Sequence, residues 1–457
     1  MPRVLLVSHF FPPIGGGGVY RALGWTRHLP EFGWDVTVLA ADADSGLVRD
    51  DSLLALVPAS TEVLRVGALT GLALRKRLPS GDRAPSARGS DQRLKALARF
   101  VLLPDSYRPW AAPAIRAGRE RIARGGIDAV ISTSPPETSH QVGEALARGG
   151  PMRLPWIADF RDPWVGLHYR TPPTAIHRTI HAGMERRVFE RADLILCASQ
   201  THERAVRAAL GTAGTERVIF HPNGTDAREA AAAAPAPGAL PTAQPGARVN
   251  SRARIVFTGH VSELPALDAL LDGLARRLAR EPALRERLEV ALVGPFDAAY
   301  AERARAQGLD GVVAFAGNVT HEEALRHQRE AGALLLLRNE GTGYAHMVPG
   351  KLYEYLEARR PLVAMISEGE AAELARTCGA VIVPPADGDR AVDALLEALS
   401  GGSNAPHPNE TAIAKLFEKR SRRALASELA GLLDRVTAPP ARSPGNGEAQ
   451  RERRTSV

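Results

Sequence analysis

Apolar residues in this chain fall into short runs separated by longer stretches of mixed character. Arg3–Ser8 (RVLLVS) is one such run. It is too short for a buried helix and ends at a turn, so it reads as a strand. Further strand-like runs lie at Asp35–Ala40, Ala129–Ser132, Trp156–Ala158 and Leu194–Ala198. Between them, apolar positions recur at helical spacing over about 19–29, 137–148 and 174–192. Strand, glycine-rich loop (Gly15–Gly18), helix, strand is the opening of a doubly wound α/β domain. A second alternation follows, with strands at Ile255–Thr258, Leu288–Val293, Val312–Phe315, Ala333–Leu337, Leu362–Ile366 and Val381–Val383. Helical patterns over 264–280, 298–307, 321–331 and 389–399 lie within it, and a helical stretch over about 409–435 closes the fold. The chain is two similar α/β halves without a short-period repeat.

Three segments break this pattern. Between Arg65 and Leu103, nine basic residues (Arg65, Arg75, Lys76, Arg77, Arg83, Arg88, Arg93, Lys95, Arg99) face two acids, Asp82 and Asp91. Leucines interleave the cations, which suits either contact with anionic lipid or a solvated helical hairpin with a polar tip near 79–92. Residues 226–253 are an Ala/Pro-rich linker. The tail from Thr437 is polar and Pro-rich, the composition of a disordered segment. The expected organisation is a first domain over 1–225, the linker, a second domain over 254–405, helices over 406–436 and the tail over 437–457.

A chain of 457 residues with 44% hydrophobic content is large enough for two or three cored domains. Cys197 and Cys378 are its only cysteines and lie far apart, which argues against a disulfide framework or a zinc site and suits a reducing cytosol. The first residues read as a strand and not as a signal peptide, because Pro12-Pro13 breaks the apolar run and no small-residue cleavage pattern follows. No run approaches the roughly 20 apolar residues of a membrane span. The expected location is cytoplasmic, with contact at the inner face of a membrane left open by the basic stretch. Net charge is +7, but no aromatic–basic pattern points to nucleic acid.

Candidate chemistry centres on Pro349–Pro361, PGKLYEYLEARRP. Leu352, Tyr355 and Leu356 fall at helical spacing and face a core, with Glu354 about one turn in. Lys351 sits at the helix start, where a cation is misplaced by roughly 0.3–1 kcal/mol. An anion bound between Lys351 and the backbone N–H groups would explain it. So would a solvated pair with Glu354, and the residues alone leave both standing. Gly15–Gly18 has neither GxGxxG spacing nor the GK of a P-loop, but it is a tight loop at the mouth of a sheet. Asp42/Asp44 and Asp387/Asp389 have the spacing of metal ligands, yet helix capping is the favoured reading. His321 and His327 are not spaced as a zincin pair. STSPPETSH (132–140) and PWIADFRDPW (155–164) lie at carboxyl ends of strands, where open α/β sheets bind ligands. There Asp159, Arg161 and Asp162 suit either a polar sugar site or an internal Arg–Asp pair.

In their order, these pieces resemble the glycosyltransferase family 4 proteins of the GT-B fold, over roughly residues 3–435. SHFFPPIGGGGVYR resembles the family's opening strand and loop, and HPNGTD (221–226) its Asn-Gly-x-Asp element. Ile255–Gly259 and Ala291–Gly294 are similar to the first strands of the donor domain. Residues 313–337 resemble its strand, glycine, helix and buried strand, and PGKLYEYLEARRPLVA its donor-site helix. ADFRDPW and PGKLYEYL are closest to a bacterial branch that makes surface polysaccharides and glycolipids.

The resemblance implies an α/β GT-B fold, with two Rossmann-like doubly wound domains facing an interdomain cleft. The second would bind a UDP- or GDP-sugar, and the first a glycan, lipid-linked or small-molecule acceptor. It implies transfer with retention, no dedicated metal or cofactor, and an acceptor proton taken by the leaving phosphate. Glu354 corresponds to the second acid of the family's E-x7-E pattern. The first falls at position 346, which is His346, so Glu340 is a candidate substitute. The usual Arg and Lys after the first donor-domain strand are absent, leaving His260 and Lys351 as candidate cations. Donor-site candidates are thus Gly259, His260, Gly294, Gly317, Asn318, Lys351, Leu352 and Glu354, with Gly317-Asn318 near the base. The loop Gly15, Gly16, Gly17, Gly18 with Arg161 and Asp162 would meet phosphate or acceptor. Asp159 stands where many relatives carry a His near the sugar, and His140 is the other catalytic candidate beside Lys351. Two other functions are compatible with the same pieces: a degenerate, non-catalytic nucleotide-binding partner, and a sugar-nucleotide epimerase.

Overall fold

A computed structural model of the chain describes residues 1–42, 49–67, 100–166, 172–212, 214–225, 252–260, 265–338, 347–401 and 405–439. The first half is a seven-stranded parallel sheet of β1 (Arg3–Val7), β2 (Asp35–Ala41), β3 (Glu62–Val66), β4 (Ala129–Ser134), β5 (Trp156–Phe160), β6 (Leu194–Cys197) and β7 (Val218–Phe220). Its order is β3-β2-β1-β4-β5-β6-β7. Val4 of β1 lies opposite Val36 on one side and Ala129 on the other. The inner strands are largely apolar and buried because helices cover both faces. One face packs Leu5, Val7, Trp156 and Phe160 against Trp110 of α2 (Arg108–Ala123) and Val142 and Leu146 of α3 (Thr138–Arg148). The other packs Val4, Leu6 and Val38 against Ala22 and Trp25 of α1 (Tyr20–His28). Helices α4 (Ala175–Arg191) and α5 (Gln200–Leu210) complete this half.

The second half is a six-stranded parallel sheet of β8 (Ala253–Thr258), β9 (Leu288–Val293), β10 (Val313–Gly317), β11 (Ala333–Leu337), β12 (Leu362–Met365) and β13 (Val381–Val383). Its order is β10-β9-β8-β11-β12-β13. Helices α6 (Pro265–Arg280), α7 (Ala298–Ala306), α8 (His321–Glu330), α9 (Gly350–Glu357), α10 (Glu370–Thr377) and α11 (Gly388–Ser400) alternate with the strands. In both sheets the strand order reverses beside the first strand of the half, between β1 and β4 and between β8 and β11.

Two strands and three helices lie outside the sequence expectation. β3 (EVLRV) is a charged edge strand, and β7 has only three residues, so neither shows a clear period. Helix α2 carries Pro113 in its interior, and α5 and α10 are short and largely polar. Arg65, the first cation of the basic stretch, is an exposed residue of β3 whose guanidinium donates to the Pro12 carbonyl. The remainder of that stretch over 68–99, most of the linker and most of the tail lie outside the described residues. Asp387 caps α11 through the Arg390 amide, and Asp389 pairs with Arg276 at 2.9 Å, which is the capping reading of that pair. Asp44 lies outside the described residues.

The closing helical stretch is two helices, α12 (Glu410–Arg420) and α13 (Arg422–Thr437). Extended backbone at Ser421 separates them, and the Ser421 hydroxyl caps α13 by accepting from the Ala424 amide. Ile413 and Phe417 of α12 pack into the second half, whereas Ala426, Leu429 and Leu433 of α13 pack into the first. Trp34 Nε1 donates to Asp434 at 2.8 Å, and Arg423 pairs with Glu31 at 2.6 Å. The chain end therefore straps the two halves together.

Candidate functional site

The carboxyl edge of the second sheet is built from glycines. Gly259, Gly294 and Gly317 follow β8 and β9 and end β10, each with positive φ (141°, 135° and 72°). The Gly259 amide donates to Val293 O at 2.8 Å, and the Gly294 amide to Gly317 O at 2.8 Å. This ladder extends the sheet past its strands, and a Cβ on Gly294 would collide with the Gly259 carbonyl. The three glycines thus form a bare ledge beside the point where strand order reverses, the usual ligand crevice of such sheets.

Lys351 lies over this ledge. Its Nζ is 4.6 Å from the centre of the Phe257 ring, and a Cβ on Gly259 would run into it. Burial lowers its ammonium from 10.5 to about 8, against the opposing pull of Glu354. Arg338, the residue after β11, adds to that depression and donates from Nη1 to Met347 O at 2.7 Å. Sequence reasoning missed Arg338, although its place directly after the run ALLLL is a strand's carboxyl end. A buried cation over bare backbone forms an anion-seeking site, because desolvation disfavours its charge until a counter-charge arrives.

The opposite wall of the crevice is tied by Thr258. Its amide donates to the Tyr355 hydroxyl at 2.7 Å, and its Oγ1 accepts from Gln328 Nε2 at 3.0 Å. Gln328 also reaches Glu354 Oε2 at 3.3 Å, so α8, α9 and the end of β8 hold the half-buried Glu354 carboxylate in place. His260 and Asn318 are exposed at the same edge. Leu352 is the core residue its helical spacing predicts, and not a donor contact: its side chain is fully buried, and its amide donates to Pro349 O at 3.0 Å. Glu340 and His346 lie outside the described residues.

In the first half, Arg161 pins the glycine-rich loop. Its guanidinium donates to the carbonyls of Gly18, Ser134 and Pro135, while Gly16 and Gly17 stay exposed. Asp162 is half-buried beside it. Asp159 is fully buried in an Arg–Asp pair, but its partner is Arg21 and not the Arg161 that the sequence set beside it. It accepts from Arg21 at 2.7 Å and from Thr133 Oγ1 at 2.7 Å. Arg21 continues to Pro222 O at 2.6 Å and His221 O at 2.7 Å, and His221 reaches Leu425 O of α13 at 3.0 Å. His140 is equally sealed. Trp156 Nε1 donates to Ser132 Oγ at 2.9 Å, leaving the hydroxyl proton for His140 Nδ1 at 2.9 Å. Burial pushes His140 down to about 3, so its ring is neutral. The structure brings neither Asp159 nor His140 to a surface where a sugar could meet it.

The carboxyl edges of the two sheets meet. Tyr20, which opens α1 behind the glycine loop, lies with its ring centre 4.8 Å from that of His321 at the start of α8. Glu370 of the second half accepts from the α5 amides of Gln200 at 2.8 Å and Thr201 at 3.3 Å. Thr225 Oγ1 donates to Glu357 at 2.9 Å. Among the described residues no three His, Cys, Asp or Glu side chains are grouped as metal ligands.

Two family models match this chain. Glycosyl transferase 4-like domain covers residues 16–224, and Glycosyl transferases group 1 covers residues 252–401. The chain belongs to the family 4-like GT-B glycosyltransferases. Its fold is similar to sucrose-phosphate synthase from Thermosynechococcus elongatus, with a TM-score of 0.61 at 15% identity over 95% of this chain and 99% of that one. Anabaena HepE, solved in complex with UDP, gives 0.58 at 14% identity over 95% and 100%. The lipopolysaccharide outer core galactosyltransferase WaaB gives 0.54 at 13% identity over 95% and 99%. Comparison with curated proteins gives no match. In this glycosyltransferase, the glycine ledge belongs to the half matched by the group 1 model. No helix among its described residues is long and apolar enough to cross a membrane.

Proposed function

We propose that this glycosyltransferase takes a UDP- or GDP-sugar and transfers the sugar with retention to an acceptor held by the first half. The observation that carries this reading is Lys351 lying over Gly259 at the glycine ledge, with Glu354 and Arg338 near enough to act on its charge. There a diphosphate would lie against the two cations and the start of α9, the ribose against Glu354 and the base toward Gly317-Asn318. Complexes of Anabaena HepE with UDP and with UDP-glucose support a donor of this class.

The bond from the anomeric carbon to the phosphate oxygen breaks, and one from that carbon to the acceptor oxygen forms. Negative charge grows on the leaving diphosphate. A fixed donor aimed at such charge typically contributes about 2.7–4 kcal/mol. The acceptor proton passes to the leaving phosphate oxygen, which leaves the sealed Asp159 and His140 as supports of the β4 and β5 ends. Gly16, Gly17, Arg161 and Asp162 would receive the acceptor. The bacterial-branch motifs favour a surface polysaccharide or glycolipid acceptor made at the cytoplasmic face, with division of the chain near 225 and 254. The basic stretch favours inner-leaflet contact.

The test is release of nucleoside diphosphate from UDP-glucose, UDP-galactose and GDP-mannose by the purified protein. Wild type should hydrolyse one of them slowly, and Lys351→Ala should lose this while unfolding normally. Failure to bind or cleave any of them would remove the reading and favour a non-catalytic partner. The anomeric configuration of a transferred product, read by NMR, tests retention.

A further inference from the structure

Tyr20 has no role in the preceding account, yet its side chain crosses from the first half onto the start of α8 in the second. Its ring lies against His321, and the Arg422 guanidinium sits 5.1 Å above it. His321 belongs to the second half, and Arg422 opens the helix that straps the halves together. The phenol is thus held in place from two sides. Burial raises its pKa, and the Glu354 carboxylate raises it further, so the hydroxyl stays protonated and lies within the field of that carboxylate.

Glu354 is an acceptor only, and one of its oxygens already receives Gln328. A vicinal diol bound there can donate to the carboxylate, but its own lone pairs need a donor. Gln328 cannot be that donor, because its amide N–H groups serve Thr258 and Glu354 and its Oε1 is an unpartnered buried acceptor. Tyr20 Oη is a protonated phenol on the facing wall. We propose that Tyr20 is a donor-contacting residue that reads the ribose diol from across the cleft. It donates a hydrogen bond to one ribose hydroxyl while Glu354 accepts from the other. This rests on the donor site proposed above and deepens it: both halves would recognise the nucleoside, and ribose over deoxyribose would depend on their closure at Tyr20.

The test is calorimetric binding of UDP and GDP and of their 2′-deoxy and 3′-deoxy forms to the full chain. Wild type should prefer the ribonucleotide over at least one deoxy form. Tyr20→Phe keeps the ring against His321 and removes only the hydroxyl. It should weaken ribonucleotide binding about three- to ten-fold, the size of one neutral hydrogen bond, and leave binding of that deoxy form unchanged. A purely structural role would weaken both equally, and that result overturns the proposal. Undiminished discrimination in Tyr20→Phe overturns it as well. If Glu354→Gln abolishes discrimination and Tyr20→Phe does not, Tyr20 alone is wrong. If wild type binds neither UDP nor GDP, the donor site itself falls and the proposal with it.

Discussion

Replacing Lys351 with methionine should move stability and binding in opposite directions. The ammonium is buried over Gly259 and Phe257 with Arg338 nearby, so the folded protein holds a proton there less tightly than the unfolded chain. A fall from 10.5 to about 8 corresponds to about 3 kcal/mol, at 1.36 kcal/mol per tenfold change in proton affinity. That cost is present in full below pH 8, where both states carry the charge. It declines as pH rises from about 8 toward 10.5, because there the unfolded chain binds the proton and the fold does not. Methionine removes the charge but also loses the cation–π contact with Phe257, roughly 0.5–2 kcal/mol. The net expectation is a gain of about 1–2 kcal/mol in urea unfolding at pH 7, shrinking toward zero or reversing by about pH 9.5–10. Wild type should gain melting temperature on adding the bound nucleotide diphosphate, and Lys351→Met should not. Loss of stability at pH 7 with no dependence on pH would refute the premise that Lys351 is strained until an anion arrives.

Arg21→Ala strands the buried Asp159 carboxylate and should cost about 3–5 kcal/mol in denaturant unfolding, whereas a surface ion-pair variant such as Arg276→Ala should change little. Gly294→Ala combines a positive φ with a Cβ against the Gly259 carbonyl; a melting-point loss equivalent to at least about 2 kcal/mol is expected, together with lost nucleotide binding. Truncation after Ser421 removes Ala426, Leu429 and Leu433 from the first core and should expose the Trp25 and Trp34 face, read as increased dye binding and a red-shifted tryptophan emission.

The strand–helix alternation was legible because parallel strands buried on both faces must be apolar throughout, and short apolar runs survive in the sequence as runs. The family resemblance, and not the apolar pattern, grouped Gly259, Gly294, Gly317 and Glu354 with Lys351 as donor-site candidates. Helical spacing put Leu352 in the core, where it lies, but spacing could not show that its amide is consumed within its own turn. Asp159 and Arg161 lie two residues apart, yet one is sealed under Arg21 and the other clamps the glycine loop. That division depends on Arg21, Thr133 and Pro135, which are distant in sequence. The doubly wound halves were therefore set by local pattern, whereas the ledge of glycines is closed by bonds between separate strands. The meeting of Tyr20 with His321, the bond of Arg21 to Asp159 and the return of α13 to the first half are contacts between segments far apart along the chain. No periodicity encodes such contacts, and only the packing of one sheet edge against the other brings them about.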